Sequence, residues 1–428
     1  MAKKFFLLSL VWSMALLWGT LTLEAKPLSY SSLHEMPKSV EKDYYIWRFL
    51  SSTHTSKSDA RRIIYDANHI NSKLRKAYRK KTGSNPPARA KRIKTTPENI
   101  WRARSKANKS FKQGLALMRQ KDPQQASRYF DMARQYYKKR YEKDKTLFWL
   151  YLSTKNKAYL QHLRASYHPN LYTLIAQDMD NGKYPGTVTE RFSRSKLRGF
   201  DAQDPIAWAK IKARMNSLSN NGIEDLADDY TSQETIGIYT YLKAKASGHR
   251  KAYFPMPYRD MMKRMPPQRQ ALIYAIARQE SRFVPASVSR SFALGMMQFM
   301  PFLIKHIAKQ KGYHMDLDEM FNPRIAIEFA DYHLNYLNRF LYHPLFVAYA
   351  YNAGIGFTKK HLRKSRNFRP GAYEPYMSME RMKNAEAREY GKKVLSNYVI
   401  YLNKLGVNTR ITSLLNILTT PAKTDRFR

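Results

Sequence analysis

The chain has no cysteine at all. That excludes disulfides, zinc–thiolate sites, a cysteine nucleophile and a lipid-modified cysteine behind an export signal. Acid is scarce: 33 Asp and Glu stand against 76 Lys and Arg, for a net charge of +43. Long low-complexity blocks are missing, so disorder is not the expectation. No alternating apolar–polar run is long enough to demand a large sheet, and the chain reads as mainly α. The eleven His form no pair at metal-ligand spacing. His306 and His314 would lie about two helical turns apart, too far to share one ion. Neither a metal nor a cofactor is expected.

What the chain does have begins with an export signal. Lys3 and Lys4 precede an apolar run from Phe5 to Leu23, broken by Ser9, Ser13, Gly19, Thr20 and Thr22. Leu23-Glu24-Ala25 resembles a cleavage site, with Leu23 larger than is usual there. The expectation is a signal peptide over 1–25, cleaved to leave a periplasmic protein. The rival is an uncleaved anchor, since the run approaches spanning length. No other stretch is apolar enough to span a bilayer. Export also bears on the positive charge, which calls for a polyanionic partner. Nucleic acid is set aside, because the chain is exported and carries no recognition motif for it. Wall peptides rich in carboxylates, an anionic membrane surface and a uniformly basic proteome remain as accounts.

A chain of 428 residues suggests two or three domains. Helical patterning runs from Val40 to Lys81, and Thr82 to Pro87 breaks it. It resumes at Pro97 through Trp101, Leu115 and Met118, turns at Asp122-Pro123, and continues through Phe130, Trp149 and Leu163. Alternating Ala and large aromatics suggest stacked helical hairpins without an exact period, an irregular α-superhelical arm. Further helices are expected over Ile206–Leu218, Gln233–Ala246 and Tyr258–Met265. The domain reading is an arm over 26–255, a catalytic unit over 256–405 and a C-terminal tail over 406–428.

The stretch from Ala271 to Gln298 carries the chemistry. Ile273, Ile276, Ala277 and Glu280 fall at i, i+3, i+4 and i+7, on one helix face. Pro285 predicts a helix end between Ser281 and Val284. Glu280 then sits on the inward face near a helix C-terminus, where both burial and the dipole disfavour its charged form. A general acid needs a carboxyl kept protonated near neutral pH. A lone Glu on a helix is more often solvated or salt-bridged, so the surroundings must decide.

Beyond Glu280-Ser281 come Gly295-Met296-Met297-Gln298 and then Ala350-Tyr351-Asn352-Ala353-Gly354. Three blocks in this order resemble the catalytic domain of the soluble lytic transglycosylases, relatives of goose-type lysozyme. The likeness is sharp from Ala271 to Gly356, looser to Leu402 and faint upstream, where the arm resembles theirs in pattern alone. A lysozyme-like α-helical catalytic domain is therefore expected.

The resemblance implies cleavage between N-acetylmuramic acid and N-acetylglucosamine, with the muramoyl 6-hydroxyl closing onto C1. No Asp or Glu lies between Glu280 and Asp316. A site with one carboxylate suits a reaction that needs neither an enzyme nucleophile nor an activated water. Glu280 would act as acid and then as base, and Tyr351 would approach the reacting centre. Asn352, Gln298, Met297 and Ser281 would contact the glycan. Read without the family, Tyr351 is a core residue before a helix cap, Met297 is core filler and Ser281 is a helix-end cap. Glu380, in the segment Glu380 to Val394, matches a position lining the glycan cleft. Glu386, Arg388 and Tyr390 are expected to brace the fold, because a helical E-x-R-x-Y does not put all three on one face. Where relatives often have Gly, this chain has Phe292, and Ile355 replaces a Pro. The expected partners are peptidoglycan glycan strands, with an anionic membrane surface or cell-wall enzymes as further candidates. Two alternatives stand: a hydrolytic muramidase on the same fold, and a catalytically weak wall-binding scaffold.

Overall fold

The computed structural model describes residues 28–87 and 98–428, so the expected signal peptide over 1–25 lies outside the described residues. Among the described residues the fold is helical, with extended pairing limited to isolated bridges. Local signals place the helices. Ser39 caps Val40–Ser51 by accepting from the Lys42 amide, and Glu41 and Asp43 sit in its first turn, where the dipole favours them. Asn71 caps Ser72–Thr82, and Gly83, at φ +80°, closes it in the left-handed conformation. The pattern expected as helical from Val40 to Lys81 is three α-helices, because Ser52 to Thr55 and Ala67 to Asn71 leave helical geometry.

Downstream, Glu98–Arg119 packs on Pro123–Tyr136, that helix on Arg140–Thr154, and the stack continues through Ala158–Arg164 to Leu171–Asp178. This is the hairpin stacking expected from the alternation of Ala and aromatics. Gly114 shows why small residues recur: a Cβ there would meet the Phe130 ring at 2.6 Å. Pro205–Ser217, Asn220–Asp228 and Ile236–Ala246 build a second, smaller core around Trp208, Ile223 and Leu242. That core takes in Val284 and Ala286, just after Glu280.

The main apolar cluster includes Leu33, Trp149 and Tyr172 as well as Ile276, Tyr349 and Leu418. Buried packing is thus continuous across residue 255. Pro267–Glu280 and Pro344–Ala353 both pack on the long helix Ala385–Lys404, which also touches Leu171–Asp178. The last residues are not loose. Ile411, Leu415 and Leu418 are fully buried, and Asp425 pairs with Leu341 through a bridge.

Candidate active site

Pro267 opens the Glu280 helix at a position where the missing N–H costs nothing, and the helix stops at Glu280, one residue before the expected interval. Its inward face is apolar as predicted, with Ile273, Ile276 and Ala277 buried. Arg282 and Phe283 follow in the left-handed region, at φ +57° and +67°. Two such non-glycine residues are strained and persist only when held from outside. Gly237 shows how: the Phe283 carbonyl comes so close that a Cβ at Gly237 would lie 2.3 Å from it.

Glu280 itself is half-buried, and Tyr390 donates its hydroxyl proton to Oε1 at 2.7 Å. Burial pushes the carboxyl up to about 7. The hydrogen bond from Tyr390 opposes that shift, and the charge of Glu386 adds to it. The acid is therefore poised to give and retake a proton near neutral pH.

Tyr351 stands on the last turn of Pro344–Ala353, beside the half-buried Asn352, and Gly354 ends the helix at φ +85°. The Tyr351 hydroxyl donates to the Met297 carbonyl at 2.9 Å. Burial first, and the Glu280 charge second, keep this hydroxyl protonated well above the ordinary tyrosine range. Ser281 Oγ donates to the Met296 carbonyl at 2.8 Å. Gln298 is at φ +53°, and its side-chain amide donates to the carbonyls of Ser287 and Gly295 at 3.1 and 2.8 Å. Ser281, Met297, Gln298 and Tyr351 are thus joined through one loop, with the Met297 side chain fully buried. What that loop presents is backbone, held in place by side chains.

Glu380 is placed differently from the expectation. Its side chain is only 4% exposed, with Lys392 Nζ at 2.5 Å and Arg388 Nε at 3.6 Å. Tyr172, from the upstream stack, donates to it at 3.3 Å. The carboxylate is taken up by a buried ion pair rather than open to a cleft. Tyr390 reverses in the other direction: expected to brace the fold, it reaches Glu280. Glu386 and Tyr390 are four residues apart and share one helix face, while Arg388 turns to Glu380 and Glu389. The i, i+4 spacing from Glu386 to Tyr390 was the available signal.

One carboxylic acid held near neutrality, contacted by a tyrosine and flanked by a second, defines a single-acid proton-transfer site on a helical fold. The family model for the transglycosylase SLT domain matches residues 258–373, which include Glu280 and Tyr351. The soluble lytic murein transglycosylase of Escherichia coli K12 is 29% identical over 242 residues, 54% of this chain and 36% of that protein. Its counterpart in Salmonella typhimurium is 27% identical over 184 residues, 42% of this chain and 28% of that protein. The aligned regions thus span well under half the length of these curated relatives. Among solved structures, a lytic transglycosylase Slt from Pseudomonas aeruginosa covers 85% of this chain, and 66% of its own, at 20% identity and a TM-score of 0.48. The 70 kDa soluble lytic transglycosylase of Escherichia coli covers 93% of this chain, and 68% of its own, at 18% identity and a TM-score of 0.46. Residues 258–373 thus match the transglycosylase SLT domain, and the chain is similar to soluble lytic murein transglycosylases over about half of its length.

Proposed function

We propose that this protein is a peptidoglycan lytic transglycosylase that cleaves the β-1,4 bond between N-acetylmuramic acid and N-acetylglucosamine and leaves 1,6-anhydromuramoyl ends. The observation that carries the reading is Glu280, raised to about 7 by burial and held by Tyr390 at 2.7 Å. Protonated Glu280 gives its proton to the glycosidic oxygen as the C1–O bond breaks. The carboxylate then takes the proton of the muramoyl 6-hydroxyl, whose oxygen bonds to C1. Atoms and charge balance without water. Tyr390 favours the carboxylate form between the two transfers, and Tyr351 holds the Met297 backbone beside the reacting centre. Asn352, Gln298 and Ser281 shape the sugar-facing side.

The catalytic unit is proposed to span 256–405, with the upstream helices of 26–255 as an arm packed into it and 406–428 as a closing segment. Periplasmic location follows if residues 1–25 are a cleaved signal. Among the described residues, no helix is long and apolar enough to cross a membrane. The glycan strand is the partner, and the excess of Lys and Arg suits acidic wall peptides or an anionic membrane surface.

A hydrolytic muramidase is the second reading, and Glu386 favours it. This exposed carboxylate acts electrostatically on Glu280 and is the type of group that would activate a water. Mass spectrometry of muropeptides released from purified sacculi decides. Anhydro ends support the transglycosylase, and products heavier by one water, lost in Glu386→Gln, support the hydrolase. No release from a folded protein would leave the wall-binding scaffold.

A further inference from the structure

We infer that Phe292 is a positioning residue that fastens the sugar-facing loop of the site to the Val40–Ser51 helix, far upstream in the chain. This rests on the reading of the site given above. The loop from Ser287 to Phe299 has two ends with different partners. At its inner end the carbonyls of Met296 and Met297 accept from Ser281 and Tyr351. At its outer end Phe292 is 1% exposed and packs against Tyr44 and Trp47, at ring distances of 6.0 and 5.6 Å. Phe292 is at φ +59°. A bulky side chain holds that conformation only where its surroundings over-determine it.

The neighbouring helix Ser72–Thr82 and its cap Asn71 take hold of the loop's backbone. Asn71 Nδ2 donates to the Arg290 carbonyl at 2.7 Å, and Lys73 Nζ to the Ser291 carbonyl at 3.0 Å. The Val40–Ser51 helix also holds what lies beneath the loop. Gly295 rests against the Met320 carbonyl, where a Cβ would meet the oxygen at 2.1 Å. Met320 belongs to the Leu317–Phe321 turn, and the Val40–Ser51 helix holds both Asp316, which caps that turn, and Asp318 within it. Tyr44 donates to Asp318 at 2.7 Å, and Arg48 pairs with Asp316 and Asp318. The Val40–Ser51 helix therefore grips both the loop, through Phe292, and its support, through Asp316 and Asp318. A glycine at 292 would adopt the same backbone angle but offer no ring to grip.

The test uses the full chain with Trp47→Ala, Phe292→Ala, their double variant and the bulk-retaining Phe292→Leu. On a defined soluble glycan, each alanine variant should raise KM about tenfold and leave kcat within about threefold, because Glu280 and Tyr390 stay in place. The double variant should add little to either single one. Phe292→Leu should recover most of the loss. Hydrogen exchange reads the fastening without any activity. The amides of Leu294 and Gly295, bonded to the carbonyls of Phe299 and Ser287, should exchange about tenfold faster or more in Trp47→Ala. Those within Pro267–Glu280 should not change. If Phe292→Ala does not fold, Trp47→Ala and Lys73→Met carry the same two readouts. Unchanged exchange and unchanged KM in a folded Trp47→Ala would overturn the inference, as would additive effects in the double variant. Absence of anhydro products from the unmodified protein would instead defeat the functional reading, and the exchange measurement would still decide the fastening.

Discussion

Glu280 and Glu389 are both tied to the long helix Ala385–Lys404, Glu280 through Tyr390 and Glu389 as the residue just before Tyr390, and both are partly buried. Their protons behave in opposite ways. Burial raises Glu280 to about 7, since its direct partner is the neutral hydroxyl of Tyr390 and its charged neighbour is another acid. Burial also acts to raise Glu389, but the charges of Lys392, Lys145 and Arg388 outweigh it and hold the carboxyl well below the usual range. Burial alone therefore does not set the sign of a shift. The charge of the partner does. Glu280 is left able to exchange a proton near neutral pH, whereas Glu389 is held charged in an ion cluster that includes Lys145 and Tyr172 from the upstream stack.

Glu280→Gln tests the reactive acid most severely. Release of soluble muropeptides should fall by about 10²-fold or more, the range of general acid–base catalysis. The same substitution should raise stability at pH 8. Glu280 ionises in the unfolded chain at about 4.3 but in the folded protein at about 7, so stability falls as pH rises through that interval and the cost of its charge, on the order of 1–3 kcal/mol, is fully present by pH 8. A melting temperature at pH 8 that does not rise would show that Glu280 is better solvated than the fold indicates.

In the ion cluster, Lys392→Met should cost about 3–5 kcal/mol, because it strands Glu380 and Glu389 without their buried cation. Chemical denaturation of the pure protein measures this. The cluster should also weaken in acid. Glu389, with its depressed pKa, contributes stability that is fully present above about 4.3 and is lost as pH falls below that value. The two acids thus predict opposite pH slopes, and a pH–stability profile of the two single variants would separate them.

Tyr390→Phe tests the bridge between them. Its hydroxyl stabilises the Glu280 carboxylate, so the apparent pKa on the alkaline limb of kcat/KM should move further up. The rate should fall about tenfold, equivalent to about 1.4 kcal/mol. An unmoved alkaline limb would detach Tyr390 from the acid. The smallest effect on stability belongs to Tyr351→Phe, which leaves the Met297 carbonyl without its donor at a cost of about 1 kcal/mol. A matching drop in kcat of about 10- to 100-fold is expected if the hydroxyl orders the reacting centre. Loss of stability with normal turnover would return Tyr351 to a packing role.

By itself, the sequence determined the features that depend on neighbours along the chain. Helical periodicity put Ile273, Ile276, Ala277 and Glu280 on one buried face, and proline, glycine and capping residues set most helix ends within a few positions. The order of the three short blocks carried the resemblance to the SLT domain, because each block must keep its own local geometry. Contacts between segments far apart in the chain were decided only by tertiary structure. Tyr390 meeting Glu280, Tyr172 and Lys392 enclosing Glu380, and Tyr44 and Trp47 receiving Phe292 all join segments separated by more than a hundred residues, or depend on which of two helix faces turns inward. A side-chain period tells which residues share a face, but the choice of what that face meets is made by packing the whole chain.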